Sequence, residues 1–317
     1  MSEAISTRSE RHQVGRLGEL FLQQGLLTEA HIEQIAHEQR QHKLRFGDAA
    51  LRLGLLTQAQ IDQALGQQFG FTSKNLLNGV ADSSLCFFHQ PFSKEAEEIR
   101  RLRSELLLKF DAADKIRIAV VSSVSGEGKS YMAVSLAIAL SQVGRRTLLI
   151  DGDLRSGSLH QFFALGSPDG LSSVLAGRQQ LDEVLIPLLP GLQLLPSGPR
   201  PPNPLELLQV PRIKDLLDSC HADFDAFVVD THASGSASDA QMLAHQVGAA
   251  LLVAKKDLTR ISDLRQVRND MQAAGVEIVG TVYNEHQSLQ KKSWLQAVLN
   301  WMPGRGKKNA RRKSGHG

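Results

Sequence analysis

The sequence predicts an α/β protein, a mostly parallel sheet with helices on both faces, preceded by a small helical domain made of a tandem repeat. Six short apolar runs alternate with helical stretches after residue 115. A glycine-rich turn separates the first run from a helix, the arrangement of a phosphate-binding loop. Ahead of both, the chain repeats itself at an offset of 29 residues.

In chain order, residues 1–13 are polar and read as a flexible start. Aligning 16–39 with 45–68 gives identity at 11 of 24 positions, among them Arg16/Arg45, Gly18/Gly47, Thr28/Thr57, Ile32/Ile61 and Gln39/Gln68. Each unit reads as a short helix stopped by Gly25 or Gly54 in the C′ position, where glycine enters the left-handed region without strain. Thr28 or Thr57 then caps a second helix, whose apolar face carries Ile32 and Ile35, or Ile61 and Leu65. Two such hairpins bury their stripes against each other, which places a helical domain at 14–75.

Residues 76–92 hold turn formers (Asn78-Gly79, Asp82-Ser83-Ser84, Pro91) and read as a linker. Ser93 caps a charged helix over 94–110. Strands are expected at 116–122, 146–151, 192–195, 226–230, 249–254 and 277–282, with a helix over 132–140. Runs apolar on both faces belong to a parallel sheet covered on two sides. The α/β domain therefore covers 93–288, and a tail of different pattern follows at 289–317.

Charge is uneven along the chain. Eight of the 36 Lys and Arg lie in 286–317, where there is no Asp or Glu, and the rest carries 28 basic against 33 acidic residues. The folded body is mildly acidic and the tail is a basic appendage. Within the tail, 293–301 has an amphipathic pattern with Trp294 and Trp301, followed by Lys307-Lys308 and Arg311-Arg312-Lys313. A solvated tail is the first reading of this segment, with contact at an anionic inner-membrane surface as the alternative. Nucleic acid is disfavoured, because no recognition fold accompanies the charge. No apolar run approaches the roughly 18–20 residues that cross a bilayer, and the N-terminus lacks a signal-peptide core. Cys86 and Cys220 show no metal-ligand spacing and read as reduced structural thiols. These features predict a cytoplasmic chain that reaches the membrane through its surface or a partner.

The chemistry begins at Ser123-Val124-Ser125-Gly126-Glu127-Gly128-Lys129-Ser130, between an apolar strand and a helix. Glycines let backbone N–H groups converge on phosphate oxygens, and the helix N-terminus adds its dipole. ATP contacts are expected at Ser125, Gly126, Glu127, Gly128, Lys129, Ser130 and Tyr131, with Lys129 reaching the β- and γ-phosphates and Ser130 ligating Mg²⁺. Ser123 stands where the general pattern has glycine. Two further strands end in carboxylates, one at Asp151-Gly152-Asp153 and one at Asp230. Mg²⁺ takes hard oxygen ligands, so Ser130, Asp151, Asp153 and Asp230 form the expected metal set.

Residues 93–285 resemble the cytoplasmic kinase domain of the bacterial tyrosine kinases of polysaccharide export, chiefly the EpsG type of exopolysaccharide chain-length-determinant kinases. The likeness rests on Gly126-Glu127-Gly128-Lys129-Ser130, Asp151-x-Asp153-x-Arg155, Asp230-Thr231, Gly170-Leu171-Ser172 and Pro201-Pro202-Asn203-Pro204-x-Glu206-Leu207-Leu208. It implies a tyrosine kinase using ATP and Mg²⁺, with Lys129, Asp151, Asp153, Arg155 and Asp230 catalytic and Asn284 near adenine. Asp151 or Asp153 would take the acceptor's proton. A separate transmembrane chain-length protein of the Wzz type would be the activator. The likeness further implies a homo-oligomeric ring assembled through Glu97-x-x-Arg100-x-x-Arg103, a spacing that shares one helix face.

The chain departs from this pattern in places. Gly152 replaces the usual Ala, Ser156 stands where a basic residue is common, and His232-Ala233 replaces Pro-Pro. The tyrosine-rich tail of the family is missing, since Tyr131 and Tyr283 are the only tyrosines. A regulatory ATPase of the ParA/MinD-like superfamily, switching assembly without tyrosine phosphorylation, is the alternative. The ParA/MinD branch proper is disfavoured, because its second lysine is replaced here by Val124.

The repeat itself resembles the cyclic di-GMP-binding N-terminal domain of type II secretion and pilus ATPases. The resemblance implies ligand contacts at Arg16, Leu17, Gly18 and Gln39, and at Arg45, Phe46, Gly47, Asp48 and Gln68. Arginine can stack on guanine or donate to its O6/N7 edge, and glycine lets backbone approach a phosphate. A protein adaptor that binds no nucleotide is the alternative.

Overall fold

The computed structural model describes residues 17–58, 60, 61, 64, 82, 85, 86, 90–110, 115–209, 212–235 and 238–285. The tail at 289–317, and Arg16 and Gln68 of the repeat, lie outside the described residues.

Both units of the repeat turn in the same way. Gly25 and Gly54 adopt φ of +68° and +66°. Leu26 N–H and Leu55 N–H return to the carbonyls of Phe21 and Ala50, each at 3.0 Å. Thr28 caps helix α1 (Glu29–His42) by accepting from His31 N–H at 3.3 Å, and Thr57 accepts from Gln60 N–H at 3.4 Å. Helix α2 spans Phe46–Arg52. Leu17, Phe21, Ile35, Phe46 and Ile61 share a small core, in which the Phe21 and Phe46 rings stack at 6.4 Å. A Cβ on Gly18 would meet Ile32 at 3.4 Å, and one on Gly47 would meet Ile61 at 3.3 Å. The repeated glycines and isoleucines are therefore packing partners.

Helix α3 (Lys94–Lys109) opens the α/β domain, with the Ser93 hydroxyl accepting from Ala96 N–H at 3.2 Å. Strand β1 (Ile116–Ser122), helix α4 (Lys129–Ser141) and strand β2 (Thr147–Asp151) follow. Next come α5 (Leu171–Leu175), α6 (Leu181–Val184), β3 (Ile186–Leu189), β4 (Leu192–Leu195), α7 (Pro204–Gln209) and α8 (Arg212–Ser219). The domain continues through β5 (Ala226–Asp230), α9 (Asp239–Val247), β6 (Ala249–Lys255), α10 (Ile261–Ala273) and β7 (Glu277–Asn284).

These strands form one seven-stranded sheet in the order β3-β4-β2-β5-β1-β6-β7. All pairings are parallel except β3 with β4. The antiparallel edge is absent from the strands expected above; β3 has four residues and includes Pro187, which gives it no strong local signal. Side chains alternate between two cores, as a period of two requires. Ile118 and Val120 join the α4 side with Ala96, Ile99 and Leu106 of α3, whereas Ala119 and Val121 join the side of α8 and α9. Leu85 and Cys86, read above as linker, are buried in the first of these cores, which thus begins upstream of Ser93.

At the N-terminal edge of the sheet, Asp225 accepts from Lys115 and from the backbone and guanidinium of Arg146, all at 3.1 Å. Those donors, the Arg146 side chain first, hold its carboxyl well below the usual range. Among the described residues no helix is long and apolar enough to cross a membrane.

Candidate functional site

Strand β1 lies between β5 and β6, so the C-terminal ends of three strands deliver the phosphate loop, Asp230 and Lys255 to one place. Chain direction through the sheet reverses there, where open α/β sheets take ligands. Gly126 and Gly128 adopt φ of +84° and +100°, and Gly128 ends the loop as the cap of α4 without a side-chain hydrogen bond. The first-turn N–H groups of α4 are thereby left for an anion.

The Glu127 side chain braces the loop from behind. Its buried carboxylate accepts from Ser123 Oγ at 2.8 Å, from Val124 N–H at 2.9 Å, and from the Thr259 hydroxyl. The serine in the glycine position thus has a function in holding the loop shut. Thr259 in turn accepts from Lys255 N–H at 2.7 Å, and Lys255 Nζ donates to the Gly126 carbonyl at 3.3 Å. Asn284 Nδ2 donates to the Glu127 carbonyl at 3.0 Å, so close that a Cβ on Gly128 would lie 2.5 Å from it. Thr259 and Lys255 had no signal in the sequence, because each acts through the ends of strands far from the loop in the chain.

Asp151 and Asp230 are register partners across β2 and β5. Gly152 N–H donates to the Asp230 carbonyl at 2.9 Å, and a Cβ there would meet that oxygen at 2.6 Å. Glycine at this position lets the two strand ends close on each other. Asp151 accepts from Leu159 N–H at 3.0 Å and Asp153 N–H at 3.3 Å. Burial, and then the charge of Asp230, push its carboxyl up to about 8. Burial also raises Asp230, to about 6, against the Lys129 charge and a hydrogen bond from Ser130 that hold it down.

Among the described residues Asp230 Oδ1 is buried with no hydrogen-bond partner. An orphaned carboxylate oxygen beside a second buried carboxylate, with Lys129 the nearby cation, fits a divalent ion. Ser130, Asp151, Asp153 and Asp230 offer only oxygen, the donor that Mg²⁺ requires. Among the described residues no three acidic or metal-binding side chains converge as a closed cage. Mg²⁺ needs none, because it retains waters and borrows phosphate oxygens.

Asp153 lies on the loop after β2, where His232 Nδ1 stands 3.0 and 3.1 Å from its two oxygens. Arg155 is turned onto the buried Asp239 at the start of α9, at 2.6 and 3.1 Å, a fork that engages its guanidinium. Tyr131 donates its hydroxyl to Cys86 Sγ at 3.2 Å, and burial raises its phenol well above the ordinary value. Tyr283 is 58% exposed.

On α3, Arg100 pairs with Glu97 at 3.1 Å and donates to the Pro91 carbonyl. Arg103 donates to the Ala139 carbonyl at 3.3 Å, and burial lowers its pKa. The three expected ring contacts share a face, but both arginines are engaged inside the chain. In the repeat, Leu17, Gly18 and Phe46 are buried, Gly47 is half-buried, and Gln39 donates to the Leu44 carbonyl at 3.3 Å. Arg45 and Asp48 stand exposed at the start of α2.

Comparison with known proteins agrees with this geometry. Residues 118–302 match the model of the CobQ/CobB/MinD/ParA nucleotide binding domain. The chain is 32% identical over 192 residues to the tyrosine-protein kinase ptk of Acinetobacter johnsonii, covering 60% of this chain and 26% of the relative. It is 31% identical over 195 residues to the tyrosine-protein kinase etk of Escherichia coli, covering 61% of this chain and 27% of that one. The chain thus spans about a quarter of the length of each of these two relatives. The solved kinase domain of the E. coli ETK superposes with a TM-score of 0.58 at 29% identity, covering 63% of this chain and 81% of that structure. By its phosphate loop, its sheet and these matches, the chain belongs to the CobQ/CobB/MinD/ParA nucleotide-binding domains, and its relatives there are bacterial tyrosine-protein kinases.

Proposed function

We propose that the chain is an ATP- and Mg²⁺-dependent protein-tyrosine kinase of exopolysaccharide polymerisation and export, activated by a separate transmembrane chain-length protein of the Wzz type. The observation that supports this most is the buried Asp151–Asp230 pair behind the Lys129 loop, in a fold whose relatives are named tyrosine kinases. Lys129 and the first-turn N–H groups of α4 would hold the phosphates, and Ser130, Asp230 and Asp153 would hold the metal ion. Mg²⁺, when bound, neutralises charge that develops on the transferred phosphoryl group. Asp151, whose carboxyl is raised to about 8, is matched to taking a proton from an acceptor hydroxyl near neutral pH.

The acceptor belongs to another polypeptide. Tyr131 is half-buried against Cys86, and Tyr283 stands alone at a strand end. Incubating the protein with labelled ATP, Mg²⁺ and the partner's cytoplasmic segment should place phosphotyrosine on that segment, read by mass spectrometry. Efficient phosphorylation at Tyr131 or Tyr283 would overturn this assignment. Release of inorganic phosphate with no phosphotyrosine would favour the regulatory ATPase. In this reading the chain is cytoplasmic and held at the inner membrane by its partner. A ring through Glu97, Arg100 and Arg103 would require the arginines to exchange partners within the chain for partners on a neighbour.

The repeat is proposed to bind cyclic di-GMP through exposed Arg45 and Asp48, with Arg16, Gln39 and Gln68. Leu17, Gly18, Phe46 and Gly47 then support the fold of the repeat. Calorimetric titration of the full chain should show saturable binding of cyclic di-GMP and none of GTP. Arg45→Ala should weaken it by about tenfold or more, since a good bidentate contact to guanine is worth roughly 1–3 kcal/mol. Absence of binding into the high micromolar range would leave the repeat as a protein adaptor.

A further inference from the structure

His232 follows Asp230-Thr231 on the loop after β5, and its Nδ1 spans both oxygens of Asp153 at 3.0 and 3.1 Å. The two residues lie 79 apart in the chain and meet because β2 pairs with β5. Both side chains are largely buried, at 19% and 15% exposure. Asp153 Oδ1 also accepts from Arg155 N–H at 3.1 Å and Ser156 N–H at 2.9 Å. Two amides on one oxygen anchor that oxygen and still permit the carboxylate plane to turn about it. A donor shared between both oxygens fixes the plane.

The segment that carries His232 is itself fastened to the strand leading into the phosphate loop. Thr231 Oγ1 donates to the Val120 carbonyl at 2.8 Å, while Ser234 N–H and Gly235 N–H donate to the carbonyls of Ser122 and Ser123, both at 2.9 Å. A Cβ on Gly235 would lie 2.6 Å from the Ser123 carbonyl oxygen, so little freedom is left. The imidazole is thus placed by β1 and β5 and acts on a carboxylate placed by β2. We propose that His232 is a positioning residue that holds the Asp153 carboxylate in one orientation for the Mg²⁺–nucleotide complex. This rests on the reading that Asp153 serves the metal ion.

The test is a Mg²⁺ titration of the full chain with a fluorescent ADP analogue, with binding in EDTA and circular dichroism as controls for folding. Outer partners of metal ligands typically contribute 10–100-fold in affinity, so His232→Ala should need about 10–100-fold more Mg²⁺ for half-saturation. His232→Asn, whose amide presents a donor close to the Nδ1 position, should stay near wild type. Asp153→Asn should lose at least as much as His232→Ala. The double variant should be no worse than Asp153→Asn alone, because the histidine acts through that carboxylate. If His232→Ala does not fold, His232→Gln, with its amide one methylene further out, takes its place. A normal Mg²⁺ response in His232→Ala beside a defective Asp153→Asn would overturn the inference and leave the reading of Asp153 intact. Equal losses in His232→Ala and His232→Asn, or additive losses in the double variant, would overturn it too. A normal response in Asp153→Asn would remove the reading and the inference together.

Discussion

Lys129→Ala is expected to weaken ATP binding by roughly 100- to 1,000-fold while the fold persists. Lys129 is buried at the start of α4, and its charge holds down the pKa of Asp230. Truncation removes the ammonium that would neutralise the nucleotide's phosphates and that sits close enough to Asp230 to hold its pKa down. Removing one partner of a buried charge pair costs about 2–5 kcal/mol, and each 1.4 kcal/mol is a factor of ten. Lys129→Met, which retains much of the apolar stem, should lose nearly as much, since charge and not packing carries the effect. Calorimetry with ATP and Mg²⁺ measures the affinities, and circular dichroism the fold. Wild-type affinity in either variant would remove the phosphate-site assignment.

Asp151→Asn should give the opposite pairing, a more stable protein that has lost its activity. Burial and Asp230 raise Asp151 to about 8, whereas an unfolded aspartate titrates near 3.9. The folded state therefore binds a proton that the unfolded chain has released. By linkage, the stability tied to this group is complete below about pH 4 and is lost as pH rises through about 8. Asparagine escapes that loss. It gives up part of it again where its amide nitrogen faces Leu159 N–H or Asp153 N–H, a mismatch of about 1 kcal/mol. The net gain in EDTA at pH 8 should be about 4 kcal/mol, shrinking toward pH 5, as read by chemical denaturation. Mg²⁺-dependent turnover should fall by about 10²–10⁴-fold if the carboxylate takes the acceptor's proton. A variant less stable than wild type at pH 8 would show that the buried carboxylate is not a burden to the fold. Unchanged turnover would show that it is not the base.

Much of this protein was legible from neighbouring residues alone. Apolar runs located β1, β4 and β5 to the residue, because a strand buried on both faces records its length in its own composition. Gly25 and Gly54 marked left-handed turns, and Ser93 marked a helix start, since each is a local demand on one backbone position. The phosphate loop was legible for the same reason: its chemistry is carried by eight consecutive residues.

Tertiary structure decided what those residues touch. Glu127 was legible as part of the loop, but that its carboxylate closes on Ser123 and on Thr259, 132 residues away, was not. Arg155 looked catalytic and is engaged by Asp239, 84 residues away. His232 looked like a mere departure and instead grips Asp153. Gly18 and Gly47, read from the sequence as letting backbone approach a phosphate, also allow close helix packing against Ile32 and Ile61. In each case the partner is set by the order of strands in the sheet or the closure of a hairpin. Periodicity and turn chemistry record how a segment folds on itself, whereas a side chain's partner depends on which segments the fold lays side by side.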